Sequence, residues 1–191
     1  MKIKDTHQMT DNKFLNLLTL EYDKTNYFIA SRRKHSGIAV NQLNHEHCDA
    51  VMIVPVIDMT KTVLIKQFRP AINDYIYEFP AGLVDPGEDI KTTAKRELFE
   101  ETGLTMKEVI RITDPMYTSV GMSDESLAIA MVNAEGIPTN ANTVGDEDIE
   151  VVEINIRELS DFCRTNLVGI KTMLMSEVLY ASSVVDRLIK K

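Results

Sequence analysis

The feature that most constrains this chain of 191 residues is an acidic segment at residues 82–104, which reads GLVDPGEDIKTTAKRELFEETGL. Ile90, Ala94 and Leu98 recur in it every four residues, and this spacing predicts a helix with one apolar face. A Pro-Gly pair ahead of them predicts a turn, and a glycine after the last glutamates predicts the end of the helix. The segment therefore predicts a turn and a helix that packs one face against a core.

Three carboxylates crowd one side of this predicted helix. Glu97 and Glu101 lie one turn apart, with Glu100 beside them. Like charges at this spacing destabilise an isolated helix by roughly 0.2–0.5 kcal/mol per pair. A hard divalent cation bound through oxygen ligands would offset this repulsion. A solvated acidic face, with Lys95 and Arg96 as charge partners, is the alternative interpretation.

Composition limits the classes of function. The net charge of −8 argues against a general binder of nucleic acid or of membrane surfaces, and the hydrophobic content of 44% suffices for a sizeable core. Two cysteines without paired spacing argue against a disulfide framework and favour a cytoplasmic protein. Residues 1–12 are polar and expected to fray, and no run approaches the ~20 apolar residues of a membrane span.

The N-terminal part of the chain predicts a small β-layer. Residues 15–21 and 27–31 read as two strands joined by a turn. Such a layer is marginal alone, so it must pack on the main domain or on a second copy of the chain. We predict a division into residues 1–48, the β-layer with its linker, and residues 49–191, the main domain.

The main domain begins with two apolar, β-branched runs. Residues 50–57 and 62–68 predict a hairpin that enters the core. Farther along the chain, Leu127, Ile129 and Met131 alternate and predict a strand that buries this face.

Two predicted helices, at 158–165 and 170–188, end the chain. The second has a predicted packing face formed by Leu174, Val178, Val185 and Leu188. Together with the strands, these helices predict the α/β class, as an α/β/α sandwich with a mixed β-sheet.

The acidic segment resembles the signature of a known family, the Nudix hydrolases. The nine positions that match the Nudix box are Gly82, Glu88, Arg96, Glu97, Leu98, Glu100, Glu101, Gly103 and Leu104. Looser similarity to the ADP-ribose pyrophosphatase branch extends from about residue 15 to the C-terminus. The resemblance implies the Nudix form of the sandwich, with the small N-terminal β-layer added.

The resemblance also implies a metal site. Magnesium, with manganese as the alternative, would be bound by Glu97, Glu101 and Glu100 and by the backbone carbonyl of Ala81. Glu100 and Arg96 are counted with the catalytic residues, Arg96 because it would orient the glutamates through charge-assisted hydrogen bonds. Two further positions of the box, Gly82 and Glu88, have supporting roles.

In the resembled enzymes a glutamate on a loop before the last strand is the general base. Glu147 is the nearest match here, with Asp146 and Glu150 as rivals. Solvated loop acids without a catalytic role are the alternative interpretation of these side chains.

Six residues outside the box are predicted to contact substrate: Arg32, Arg33, Arg69, Tyr77, Glu78 and Glu125. A guanidinium suits phosphate oxygens because it is a planar fork of donors, although a charge at a strand end is the plainer interpretation of Arg69. Tyr77 could stack on a base or ribose, whereas aromatic residues in strands more often serve packing.

By this resemblance, the chain hydrolyses the pyrophosphate bond of a nucleoside diphosphate sugar, foremost ADP-ribose to AMP and ribose 5-phosphate. Residues 119–121 read Ser-Val-Gly, where ADP-ribose hydrolases usually carry Ser-Pro-Gly. A GDP-mannose or other sugar-nucleotide pyrophosphatase is therefore the alternative, and a non-catalytic nucleotide-binding module is the alternative from another class. Expected partners are the substrate and a second copy of the chain, as a homodimer through the β-layer, without nucleic acid or membrane.

Overall fold

A computed structural model describes residues 3–32, 48–143 and 148–189, the last five of them as backbone only. The strands in these ranges are β1 (Ile3–Gln8), β2 (Asn16–Tyr22), β3 (Thr25–Ser31), β4 (Ala50–Val56), β5 (Lys61–Arg69), β6 (Asp74–Glu78), β7 (Ala81–Leu83), β8 (Thr105–Ile112), β9 (Met116–Tyr117), β10 (Ser126–Glu135) and β11 (Ile149–Asn155). The helices are α1 (Ile90–Thr102), α2 (Ile156–Thr165) and α3 (Ile170–Ile189). No helix among the described residues is both long enough and apolar enough to cross a membrane.

The chain divides into two compact units. The first comprises Met1–Ala50 and Thr113–Ala128, and the second comprises Val51–Ile112 and Ile129–Lys191. The division of the sequence after residue 48 into a β-layer and a main domain stays a prediction.

The first unit contains an antiparallel sheet in the order β1-β2-β3, in which β2 and β3 are the two predicted strands. Leu18, Leu20 and Ile29 are buried together, and Ile3 packs against them. Residues 3–8 were expected to fray, and this prediction was wrong because they form the edge strand β1. Polar side chains concealed the strand, since β1 is held mainly by its backbone pairing with β2.

Residues 113–128 belong to the same unit and attach to β3. The Tyr27 hydroxyl donates to the Gly121 carbonyl at 2.6 Å, and the Ala30 N–H donates to the Met122 carbonyl at 2.8 Å. The loop that precedes β10 therefore lies along β3.

The second unit contains one sheet in the order β7-β4-β10-β8 and an antiparallel sheet in the order β11-β5-β6. The prediction that residues 50–57 and 62–68 form a hairpin was wrong, because β4 and β5 lie in different sheets. A tight turn joins them, with Asp58 and Met59 at positive φ. Both runs are apolar on both faces, so alternation along the sequence could not identify their partners.

Helix α1 forms as predicted. Asp89 caps its start by accepting from the Thr92 N–H, and Gly103 ends it with φ 70°. Ala94 and Leu98 are fully buried. The helix contacts β7 and β8 of one sheet and β5 and β11 of the other. Its apolar face thus lies in the core between them, formed by Val51, Ile53, Ile57, Val63, Ala94, Leu98, Leu104, Ala130, Val132 and Ala134.

Strand β10 buries the face opposite to the predicted one. Leu127 is buried, but Ile129 and Met131 are only half-buried, so the predicted face was wrong. The buried positions that alternate with them are Ala128, Ala130, Val132 and Ala134, of which the first three are fully buried. Small side chains let neighbouring elements approach closely, and a ranking by hydrophobicity alone overlooks them.

The predicted packing face of the last helix was also wrong. Leu174 and Val178 are 60% and 50% exposed, and the side chains of Val185 and Leu188 lie outside the described residues. Among the described side chains of α3, the buried ones are Thr172, Ser176 and Leu179, and this helix packs on α2. The Ser176 hydroxyl donates to the Met173 carbonyl of its own helix at 2.7 Å, which allows it to be buried.

Candidate active site

The acidic face of α1 meets β7, the strand that precedes it. The Ala81 N–H donates to Glu101 Oε2 at 2.9 Å, and the Glu101 side chain is only 4% exposed. The chain just before β7 is fixed as well, because the Ile53 N–H of β4 donates to the Pro80 carbonyl at 2.7 Å. A buried carboxylate and the backbone at Ala81, both predicted metal ligands, therefore lie together.

Gly82 provides the space that Glu97 occupies. A Cβ atom built on Gly82 would lie 1.9 Å from the carboxyl carbon and from Oε1 of Glu97. Real Cβ atoms do not approach other atoms this closely, so a side chain here would displace the Glu97 carboxylate. The need for glycine at this position of the box is thus steric.

Arg96 is the centre of the network on this face. Its guanidinium has five N–H donors, and five acceptors surround it. These acceptors are Glu88 Oε1 at 3.1 Å, Glu88 Oε2 at 3.0 Å, the Leu83 carbonyl at 3.2 Å, Glu97 Oε1 at 2.6 Å and Glu100 Oε2 at 3.2 Å. The guanidinium is therefore held on every side and fixes two of the predicted metal-binding glutamates.

The charges of this network are strongly coupled. Hydrogen bonds from Arg96, and next from the Thr93 hydroxyl, lower the pKa of the Glu88 carboxyl from 4.5 to about 2. The bonds to Glu88 and then to Glu97 raise the pKa of Arg96 above its ordinary value. Both groups consequently stay charged across the neutral range.

The donor set of this face suits a hard divalent cation. Glu97, Glu100, Glu101 and the Ala81 carbonyl offer only oxygen atoms, which magnesium and manganese prefer. Among the residues that the structure describes, no three acidic, histidine or cysteine side chains converge closely enough to form a metal cage. Magnesium typically takes one or two carboxylates and completes its sphere with substrate phosphates and water, so the residues present fit the ion.

Two predicted substrate contacts lie together on the sheet β11-β5-β6. Arg69 Nε donates to Glu78 Oε2 at 2.7 Å, and the Arg69 side chain is 44% exposed. The Tyr77 ring packs edge-on against Phe162 with centroids 5.0 Å apart, and the Lys66 ammonium lies 5.9 Å from the Tyr77 ring centre. Tyr77 thus has a packing role, and its partner on α2 could not be predicted from the sequence.

The segment that carries the predicted general base is described only at its ends. Glu147 and its rival Asp146 lie outside the described residues. The other rival, Glu150, lies in β11 with its carboxylate 3.6 Å from the Lys66 ammonium. Asp148 accepts from the Tyr75 hydroxyl, and this bond raises the pKa of Tyr75.

The first unit contains another arginine–glutamate pair. Arg32 Nε lies 2.8 Å and Arg32 Nη2 lies 2.7 Å from Glu125 Oε1, and the Thr118 hydroxyl donates to Glu125 Oε2 at 2.9 Å. Two predicted substrate contacts are therefore brought together there. Arg33, the third, lies outside the described residues.

Comparison with known proteins identifies the family. Residues 46–167, which are more than half of the chain, match the family model described as NUDIX domain. The chain belongs to the Nudix family. The predicted fold class is thereby confirmed, and the Nudix box consists of β7, the turn after it and α1.

Individual relatives agree with this membership. An ADP-ribose pyrophosphatase of Bacillus subtilis (strain 168) is 36% identical over 114 residues, which are 59% of this chain and 61% of that protein. A methanol dehydrogenase activator of Bacillus methanolicus is 31% identical over 121 residues, 62% of this chain and 64% of that protein. An ADP-sugar pyrophosphatase of Mus musculus is 31% identical over 123 residues, 61% of this chain and 56% of that protein. The chain thus spans less than two thirds of the length of these relatives.

Proposed function

We propose that this Nudix protein is a metal-dependent pyrophosphohydrolase that cleaves a nucleoside diphosphate sugar, foremost ADP-ribose to AMP and ribose 5-phosphate. The observation that carries the proposal is the Arg96 network, which holds Glu97 and Glu100 on the same helix as the buried Glu101. A binding module without catalysis would not need carboxylates arranged so strictly. The Bacillus subtilis ADP-ribose pyrophosphatase and the Mus musculus ADP-sugar pyrophosphatase, both similar to this chain, support the choice of substrate class.

Glu97, Glu101, Glu100 and the Ala81 carbonyl would hold magnesium, or manganese in its place. When bound, the ion would supply charge neutralisation for the pyrophosphate and would lower the pKa of the attacking water. Arg96 would position these glutamates and not bind substrate. All five of its N–H groups already have acceptors within the box.

The remaining predicted residues act on the substrate and on the water. Glu147 takes the proton of the water, whose oxygen bonds to phosphorus while the bond from that phosphorus to the bridging oxygen breaks. Asp146 stays the nearest rival for this role, and the strand position and Lys66 partner of Glu150 weaken its candidacy.

Arginines are well suited to bind the phosphate oxygens, because their planar forks can donate two bonds at once. Arg69 has the exposure that such a role needs, and Glu78 holds it in place. Arg32, ordered by Glu125, and Arg33 complete the proposed substrate contacts.

The β-layer is the proposed interface of a homodimer. On the face of the β2–β3 pair opposite to Leu18, Leu17 is 47% exposed and Phe28 is 61% exposed. A second copy of the chain would cover this apolar face. The free Cys48 and Cys163 suit a cytoplasmic protein.

GDP-mannose is the second candidate substrate. Val120 stands where ADP-ribose hydrolases usually carry proline, and it is 78% exposed. Valine in place of proline leaves this loop, which lies along β3, without a rigid residue. Because of this difference, other sugar nucleotides are included in the test.

The test is steady-state hydrolysis of ADP-ribose, GDP-mannose and related compounds with magnesium. We expect a preference for one substrate, and a fall in kcat of about 100-fold or more in Glu101→Gln. The control is Glu135→Gln, which changes an exposed glutamate paired with Lys107 and should keep wild-type turnover. Folded wild-type protein that binds these nucleotides but cleaves none of them would support the binding-module alternative.

A further inference from the structure

Thr93 is a buried residue of α1 that belongs to none of the nine Nudix-box positions. Its side chain is fully buried, and its hydroxyl oxygen lies 2.8 Å from Glu88 Oε2. We propose that Thr93 is a positioning residue of the active site, which acts through Glu88 and Arg96 on the carboxylates of Glu97 and Glu100. The inference rests on the proposed function, because it assigns a task within the same site.

Two hydrogen-bond acceptors lie within reach of the Thr93 hydroxyl. A threonine inside a helix ordinarily donates to the carbonyl one turn earlier, and the Asp89 carbonyl lies 3.2 Å away. The Glu88 carboxylate is closer, at 2.8 Å, and accepts more strongly because it is charged. The single hydroxyl hydrogen therefore goes chiefly to Glu88.

This bond limits how the Glu88 carboxylate can rotate. Arg96 donates to both of its oxygens, at 3.1 Å and 3.0 Å. Arg96 itself reaches these oxygens from the end of a long side chain, so its bonds to Glu88 leave that carboxylate more freedom than a donor held close to the helix would. Thr93 has a short side chain on the rigid helix three residues before Arg96, so its hydroxyl ties the pair to the helix backbone.

The effect reaches the predicted metal ligands because a guanidinium is planar. Glu88 holds the edge formed by Nε and Nη2, and that edge determines where Nη1 points. Nη1 donates to Glu97 at 2.6 Å and to Glu100 at 3.2 Å. Loss of the Thr93 hydroxyl should loosen these carboxylates without removing any of them.

The experiment compares Thr93→Val, which keeps the side-chain shape, with Thr93→Ser, which keeps the hydroxyl. The matched control is Thr62→Val, since Thr62 is also fully buried and its hydroxyl donates to the Pro55 carbonyl at 2.6 Å. For each protein we would measure binding of Mg²⁺ alone by calorimetry, kcat and KM for ADP-ribose, and the thermal unfolding midpoint. Thr93→Ala replaces the valine variant if the latter does not fold.

We expect Thr93→Val to weaken Mg²⁺ binding about tenfold and to lower kcat by a similar factor, with a smaller change in KM. Thr93→Ser should restore both quantities to within about threefold of wild type. Thr62→Val should lower the unfolding midpoint and leave Mg²⁺ affinity and kcat unchanged.

Unchanged Mg²⁺ affinity in Thr93→Val, with a lowered unfolding midpoint like that of Thr62→Val, would reduce Thr93 to a structural residue and overturn the inference. Failure of the proposed function is separable from this result. If wild-type protein cleaves no substrate, the Mg²⁺ affinities still decide whether Thr93 positions the carboxylates.

Discussion

Two arginine–glutamate pairs of the second unit differ in how completely their guanidinium groups are bound. Arg96 has five acceptors and a side chain that is 28% exposed. Arg69, in the described part of the chain, pairs with Glu78 through Nε and is 44% exposed. A guanidinium whose donors are all taken can only organise its neighbours, whereas one with donors facing solvent can receive a phosphate.

The largest effect is expected at the fully bound arginine. Arg96→Lys replaces five fixed donors with three on a flexible stem, so Glu97 and Glu100 lose their common partner. We expect kcat to fall about 100-fold with a smaller change in KM, measured by steady-state hydrolysis of ADP-ribose. Arg164→Lys, on an exposed arginine paired with Glu177, is the control and should keep wild-type turnover. A kcat within twofold of wild type in Arg96→Lys would show that Arg96 does not organise the glutamates, and the proposed difference between Arg96 and Arg69 would fail.

A smaller and different effect is expected at the exposed arginine. Arg69→Lys keeps the charge and removes the planar fork, so substrate binding should weaken. The loss of one charged hydrogen bond predicts a rise in KM of about tenfold with kcat nearly unchanged. Lys61→Arg, at an exposed pair with Glu153, controls for changes in surface charge geometry. If kcat falls instead and KM holds, the two arginines would share one role.

The smallest effect concerns stability and pH. Because the folded-state pKa of Glu88 is depressed to about 2 from 4.5, its ion pair stabilises the fold above pH 4.5 and loses this contribution as pH falls towards 2. The unfolding midpoint of wild type should exceed that of Glu88→Gln by a constant amount near neutral pH, and the gap should close in acid. The measurement is circular dichroism against temperature at a series of pH values. A gap that persists at pH 2 would show that the variant acts through packing and not through charge.

The parts of the fold that the sequence predicted correctly are those specified by local chemistry. Helix α1 needs only its apolar spacing, its preceding turn and Gly103, all of which lie within one segment. Three other features depend on neighbours far along the chain. They are the strands with which β4 and β5 each pair, the buried face of β10 and the packing face of α3. Ala130 and Ser176 are buried because of what they pack against, and their burial cannot be predicted from their residue types.

The candidate site divides in the same way. Resemblance to the motif of a known family identified the Nudix-box residues, and this was possible because the motif lies in one strand, one turn and one helix. The contact of Tyr77 with Phe162 joins residues far apart in the chain, which no local pattern records. The bond from Thr93 to Glu88 was missed although both lie in the segment, because the hydroxyl looks like an ordinary helix side chain until its acceptor is known.

The Arg96 network has a consequence for how such a protein can change over time. Among the described residues, every hydrogen-bond acceptor of this guanidinium lies between Leu83 and Glu100, so the arrangement of the proposed metal-binding carboxylates Glu97 and Glu100 is encoded in one short, contiguous stretch of chain. Mutations elsewhere in the chain can accumulate without removing any of these acceptors. Recombination could therefore transfer this carboxylate arrangement as a single unit, while the remainder of the chain drifts independently of it.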